Sequence, residues 1–162
     1  VKFVTLGYGF VPTYRKGEKG KYQFVVKKAK WNELKRKLKQ LTKKTLPMTF
    51  DERIARIKLQ QQGWINYFQM ASIHAKLKKL DEWLRNRLRY CIWHDWKKPD
   101  RKRKNLIRLG KESGIAYAWS RSRMGGWRIA QSPILGTTIT VKRLEKRGYE
   151  SMVSYYHKVR SS

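Results

Sequence analysis

Acid, cysteine and long apolar runs are what this sequence has least of, and each shortage removes a class of function. Only 11 Asp and Glu stand against 40 Lys and Arg in 162 residues. Templated polynucleotide synthesis needs carboxylates that hold two Mg²⁺ roughly 4 Å apart. The adjacent acid pairs, Asp51-Glu52 and Asp81-Glu82, read as helix capping and charge-pairing elements, and no Tyr-Xaa-Asp-Asp occurs. The single cysteine, Cys91, excludes a disulfide within the chain and a cysteine-based zinc site; on an amphipathic helix it reads as a small buried apolar residue. His74, His94 and His157 are too scattered to suggest a shared metal, and His94-Asp95 lacks the further ligands of a nuclease motif. No serine sits in a Gly-Xaa-Ser-Xaa-Gly elbow, and Gly7-Tyr8-Gly9 lies inside a strand pattern without a phosphate loop after it. No catalytic residue, metal site or cofactor is therefore expected in these residues. No apolar run approaches the roughly 18–20 residues of a bilayer span, and Val1–Phe10 is too short for a signal peptide. Without a disulfide framework, the expected home is inside the cell.

What is abundant is positive charge: the formal net charge is +29. Such self-repulsion opposes a compact state unless a polyanion offsets it, and neutralised phosphates release condensed counterions as well. At 40% apolar and 13% aromatic residues the chain is too rich in core-formers for a disordered basic tail.

The pattern predicts a mainly α fold with an N-terminal β-hairpin. Val4, Leu6, Tyr8 and Phe10 alternate along Lys2–Phe10, the polar segment Arg15–Gly20 forms a turn, and Tyr22–Val26 returns as a second strand. From Ala29 the period turns helical, with Trp31, Leu34, Leu38 and Leu41 inward and a stop at Thr45-Leu46-Pro47. Thr49 and Glu52 make a capping box for a helix carrying Ile54, Ile57 and Leu59 inward toward Gly63. A long helix, about Ile73 to Trp96, has the stripe Ile73, Leu77, Leu80, Leu84, Leu88 and Cys91, with Asp81 and Glu82 available to Arg85. Pro99 closes it, and Pro99–Lys104 is the best boundary before a short helix through Leu109. Thr140 caps a short helix through Leu144 that ends at Gly148, and another short helix spans Ser151–His157. The expected units are a hairpin over 1–28, a helical bundle over 29–98 and a small, irregular helical region over 99–162 that is basic and suited to DNA or RNA.

Three basic patches are the candidate binding residues. On the first helix they are Lys35, Arg36, Lys39, Lys43 and Lys44; beyond the longest helix they are Lys97, Lys98, Arg101, Arg103 and Lys104. Arg121, Arg123 and Arg128 follow, interleaved with Trp119 and Trp127. Charge runs are usually solvated faces, but a merely soluble surface mixes signs. Arginine beside aromatic rings suits RNA, offering phosphate contacts and planes for unstacked bases.

Several segments also carry a family likeness. Leu6-Gly7-Tyr8-Gly9-Phe10 resembles the strand that closes the palm of group II intron-encoded reverse transcriptases. Gly63-Trp64-Ile65-Asn66-Tyr67-Phe68 is similar to the hallmark of their maturase domain, also called domain X or the thumb, and Leu80–Arg89 to the helix that follows. Trp96-Lys97 and Arg101–Gly110 continue the likeness, which loosens after Gly110; Trp127–Pro133 with Leu144 and Gly148 resembles the tail of bacterial members. The resemblance implies a bacterial, cytoplasmic protein whose thumb grips an RNA or RNA–DNA template–primer beside fingers and palm. It also implies binding of group II intron RNA to aid splicing, with Arg85 and Arg89 joining the phosphate-binding residues. Starting on a strand, the sequence reads as cut from a longer parent, a polymerase that would need Mg²⁺. The rival class is a structural, ribosomal-type RNA-binding protein of similar charge.

Overall fold

The computed structural model describes residues 7–12 and 22–161 of the chain. Among them, strands β1 (Tyr8–Pro12) and β2 (Tyr22–Val26) pair antiparallel, Tyr8 opposite Val26 and Pro12 opposite Tyr22. The expected strand residues before Gly7 and the turn at Arg15–Gly20 lie outside the described residues. Helices follow in the order α1 (Lys28–Leu41), α2 (Phe50–Phe68), α3 (His74–Trp96), α4 (Pro99–Arg108) and α5 (Ser113–Ser120). The short helices α6 (Gly126–Ala130), α7 (Pro133–Gly136) and α8 (Val141–Lys146) lead to α9 (Met152–Arg160). The chain is mainly α with a small N-terminal hairpin, as its periodicity predicts.

The hairpin docks through aromatic rings. Tyr8 packs on Phe24, Tyr67 and Phe68 with centroids 5.0–6.1 Å away, and Trp64 joins Phe68 to Trp31. Gly7, at φ 91°, is required by this approach: a Cβ there would lie 2.8 Å from Lys30 Cγ and 3.1 Å from Phe68 Cζ. Close backbone packing, rather than phosphate binding, explains the glycine.

Three elements differ from expectation. Helix α1 stops at Leu41, one turn early, because two arginines seize its end. Buried Arg53 donates to the carbonyls of Leu41, Lys43 and Leu46, and Arg87 donates to those of Lys39 and Thr42. Guanidinium groups there satisfy terminal carbonyls and oppose the negative end of the helix dipole. Helix α2 passes straight through Gly63 to Phe68, so the Trp64–Phe68 segment is its last turns, and Leu59 is 74% exposed rather than inward. The short helix before Gly110 begins already at Pro99, which sits in the first turn of α4, where its missing N–H costs nothing.

Capping follows the sequence more closely. Thr49 accepts from the Glu52 N–H at 3.1 Å, although the Glu52 carboxylate turns to Arg56 instead of reaching back. Thr140 and Ser151 accept from the N–H groups three residues on, opening α8 and α9. The α3 stripe is buried throughout, Leu77, Leu84 and Leu88 completely, and buried Cys91 rests its thiol on the Thr42 carbonyl. Burial pushes that thiol up from its ordinary value.

One core runs from Val26 through α1–α3 to Ile129, Leu135, Leu144 and Tyr156. The clasp between its halves is Asp81, whose carboxylate accepts from the Met152 and Val153 N–H groups at 2.8 and 3.1 Å. Asp81 therefore caps α9 across the fold instead of simply pairing with Arg85. Desolvation raises its pKa despite those bonds, and burial raises that of Tyr149, which donates to the same carboxylate. His74 and His157, far apart in sequence, meet at the exposed surface, with Nδ1 and Nε2 2.7 Å apart.

Candidate nucleic-acid interface

The amphipathic spacing of α1 turns Leu34 and Leu38 inward and leaves Lys35, Arg36 and Lys39 exposed. Lys43 and Lys44, in the loop beyond its early end, are exposed as well. Lys97, Lys98, Arg101 and Lys104 are exposed around the start of α4, while Arg103 is half-buried. Lys97, between α3 and α4, holds φ 59° and ψ −85°, a positive-φ backbone that side-chain-bearing residues rarely adopt. Arg121, Arg123 and Arg128 are exposed.

Aromatic rings join these patches. Lys35 lies 5.0 Å over Trp83, and Lys44 lies 5.4 Å over Tyr90, whose ring meets Trp127 edge-on at 5.8 Å. Arg87 stands among Trp83, Tyr90 and Trp127, 5.5–6.0 Å from each. Gly126 permits this: a Cβ there would fall 2.8 Å from the Tyr90 ring. Lys35 and Lys44 of the first patch and Trp127 of the third segment thus belong to one cation–aromatic strip. Such contacts add roughly 0.5–1 kcal/mol each at exposed sites and leave ring faces beside positive charge.

The second and third patches meet elsewhere. Arg121 pairs with Asp100 at 3.0 Å and stacks 3.9 Å over Tyr117, which Arg103 approaches at 5.7 Å. Tyr117, 51% exposed, is a ring between two guanidinium groups. Lys102 covers Trp93 at 4.5 Å, and partial burial holds its amine below the ordinary value.

The two α3 arginines part company. Arg85 is half-buried at the Tyr149–Asp81 cluster. Arg89 is buried, its Nε 2.8 Å from the Ile139 carbonyl and its Nη1 3.0 Å from Asn86, with burial lowering its pKa. Its guanidinium belongs to the interior, held by the Ile139 carbonyl between α7 and α8, a long-range partner that the helix's own spacing does not reveal. Arg87, which spacing alone does not single out, is the arginine of this helix that reaches the aromatic strip.

The acids offset little of this charge. Glu33 lies between Lys30 and Lys37, whose hydrogen bonds and charges hold its carboxyl below the usual range, and Glu52 pairs with Arg56. Among the described residues, no group of three or more His, Cys, Asp or Glu is placed to hold a metal, and no helix is long and apolar enough to cross a membrane.

Residues 31–110, most of α1 through the end of α4, match the family described as group II intron, maturase-specific domain. The chain carries a group II intron maturase-specific domain. No curated protein matches the chain closely enough to count as a relative. The matched segment contains the Gly63–Phe68 and Leu80–Arg89 segments and the candidate basic residues from Lys35 to Lys104. Helices α5–α9 lie beyond the match yet pack on the same core, with Asp81 of the domain capping α9. A role in group II intron splicing follows from the family.

Proposed function

We propose that this chain is the RNA-gripping portion of a group II intron maturase. It holds intron RNA in its splicing-competent shape while the RNA supplies the chemistry. The observation that carries the reading is the pair of cation–aromatic surfaces on and beside the family-matched segment, positively charged with little acid. Lys35, Lys44 and Arg87 beside Trp83, Tyr90 and Trp127 serve phosphates and unpaired bases together. The segment over 29–98 acts as the thumb of a parent reverse transcriptase, which grips template–primer, and the hairpin is the edge of its palm. The region over 99–162 extends the RNA-binding surface, and the parent's fingers and palm are its protein partners.

Replacing Lys97, Lys98, Arg101 and Arg103 together with glutamine tests the reading. Affinity for a group II intron RNA should fall, and the slope of log affinity against log salt should flatten by roughly 0.7–0.9 for each phosphate no longer neutralised. Unchanged binding across several salt concentrations would overturn it. Competition against an unrelated structured RNA at near-physiological salt separates an intron binder from a general, ribosomal-type polyanion binder; equal affinities favour the latter.

A further inference from the structure

Helices α3, α4 and α8 leave a cavity of about 560 Å³ at their junction, away from the Trp83–Tyr90–Trp127 strip. Its walls are of two kinds. Trp96, Ile139 and Leu144 are buried, and with half-buried Ile92 and Leu109 they make an apolar floor. Arg101, Arg108, Arg143, Lys146 and Arg147 surround it, Arg147 pairing with Asp51 at 3.4 Å, and among the described residues Asp95 is the one acid in the lining. Arg143 is steered by the Leu109 and Thr138 carbonyls at 3.0 and 2.6 Å, and Arg108 by the Asn105 amide oxygen at 3.0 Å. Neutral oxygens orient both guanidinium groups without cancelling their charge.

We propose that this cavity receives one unstacked nucleotide of a bound RNA, its base on the apolar floor and its flanking phosphates at the arginine rim. The assignment rests on the RNA-binding reading above and deepens it. The volume lies within the roughly 300–1,000 Å³ of small-ligand sites. The lining is half apolar and half charged, which suits a ligand that joins an aromatic ring to phosphate. A free phosphate would meet the rim and leave the floor uncovered, whereas a nucleotide uses both. Asp95 supplies an acceptor for a base carrying an exocyclic amine, so cytosine is favoured over uracil.

The test uses the full chain and labelled RNA hairpins that differ at one position: a bulged cytidine, a bulged uridine, an abasic bulge, or no bulge. Fluorescence anisotropy at near-physiological salt should show the bulged-cytidine hairpin bound on the order of tenfold tighter than the abasic one, as stacking of one base implies. The uridine hairpin should fall between them. Leu109→Trp, which fills the floor, should bring the cytidine hairpin down to the abasic level. Equal affinity for all four hairpins overturns the nucleotide site while leaving salt-dependent RNA binding intact. An undiminished cytidine preference in L109W overturns the location. Failure to bind any hairpin overturns the site and the RNA-binding reading together. The comparison among hairpins needs no variant, so a misfolded L109W would not rescue the idea.

Discussion

Two buried charged residues hold the helices in place, and neither faces an opposite charge as its main partner. Arg53 gathers three carbonyls at the end of α1. Arg53→Met keeps the volume but strands those acceptors away from water, a loss of roughly 2–4 kcal/mol. Urea unfolding should show it as a lower midpoint with an unchanged slope, and a variant as stable as the parent would contradict the role. Asp81 works in the opposite sense, accepting from the first N–H groups of α9. Burial raises its pKa, so the folded state holds its proton up to a higher pH than the unfolded chain does. The linked stability is complete below the ordinary aspartate value and is lost as pH rises through the raised native value. Asp81→Asn cannot titrate. The stability difference between the parent and D81N should therefore move against the parent as pH rises through that window, measured by denaturant titration at a series of pH values. A pH-independent difference would mean that Asp81 has the same affinity for its proton in both states.

At the level of elements, α2 makes the sharpest prediction. Gly63 lies inside it, five residues before its end at Phe68, and a Cβ built there meets nothing within 4 Å. Gly63→Ala should stabilise the chain by roughly 0.5–1 kcal/mol through helix propensity alone, read from thermal or urea unfolding. Destabilisation would show that the helix does not run through this position. The glycine also explains why α2 is legible only in part. Read alone it stops a helix, and only the aromatic docking of Trp64 and Phe68 against Tyr8 and Trp31 makes continuation the lower-energy path. The Tyr22–Val26 strand, the α3 stripe, and the Thr49 and Thr140 caps can be read directly, since each depends on local spacing. The end of α1 cannot, because Arg53 and Arg87 reach it from other helices. The meeting of His74 with His157 and the capping of α9 by Asp81 are likewise long-range.

For the whole molecule, the basic patches are readable as residues but not as surfaces. The sequence names Lys35, Lys44 and Arg121, yet only the folded chain sets them against Trp83, Tyr90 and Asp100, buries Arg89 and leaves half-buried Arg87 beside Trp127. Joined this way, a net charge of +29 has two consequences of opposite sign. In the free chain, like charges crowd one another, and the Debye length shrinks from about 10 Å at 0.1 M salt to about 3 Å at 1 M. Added sodium chloride should therefore raise the thermal midpoint of the protein alone, because screening relieves the self-repulsion of the compact state. The same salt should weaken RNA binding, because counterions released from phosphates must return against a higher concentration. Unfolding of the protein with and without intron RNA between roughly 50 mM and 500 mM salt would show both. The two midpoints should lie well apart at low salt and converge as salt rises, the free protein moving up and the complex down. A free-protein midpoint that falls with salt would show that stability is governed by ion pairs such as Asp100–Arg121 and Glu52–Arg56. Those pairs are exposed and individually worth no more than about 1 kcal/mol, so unpaired repulsion should prevail.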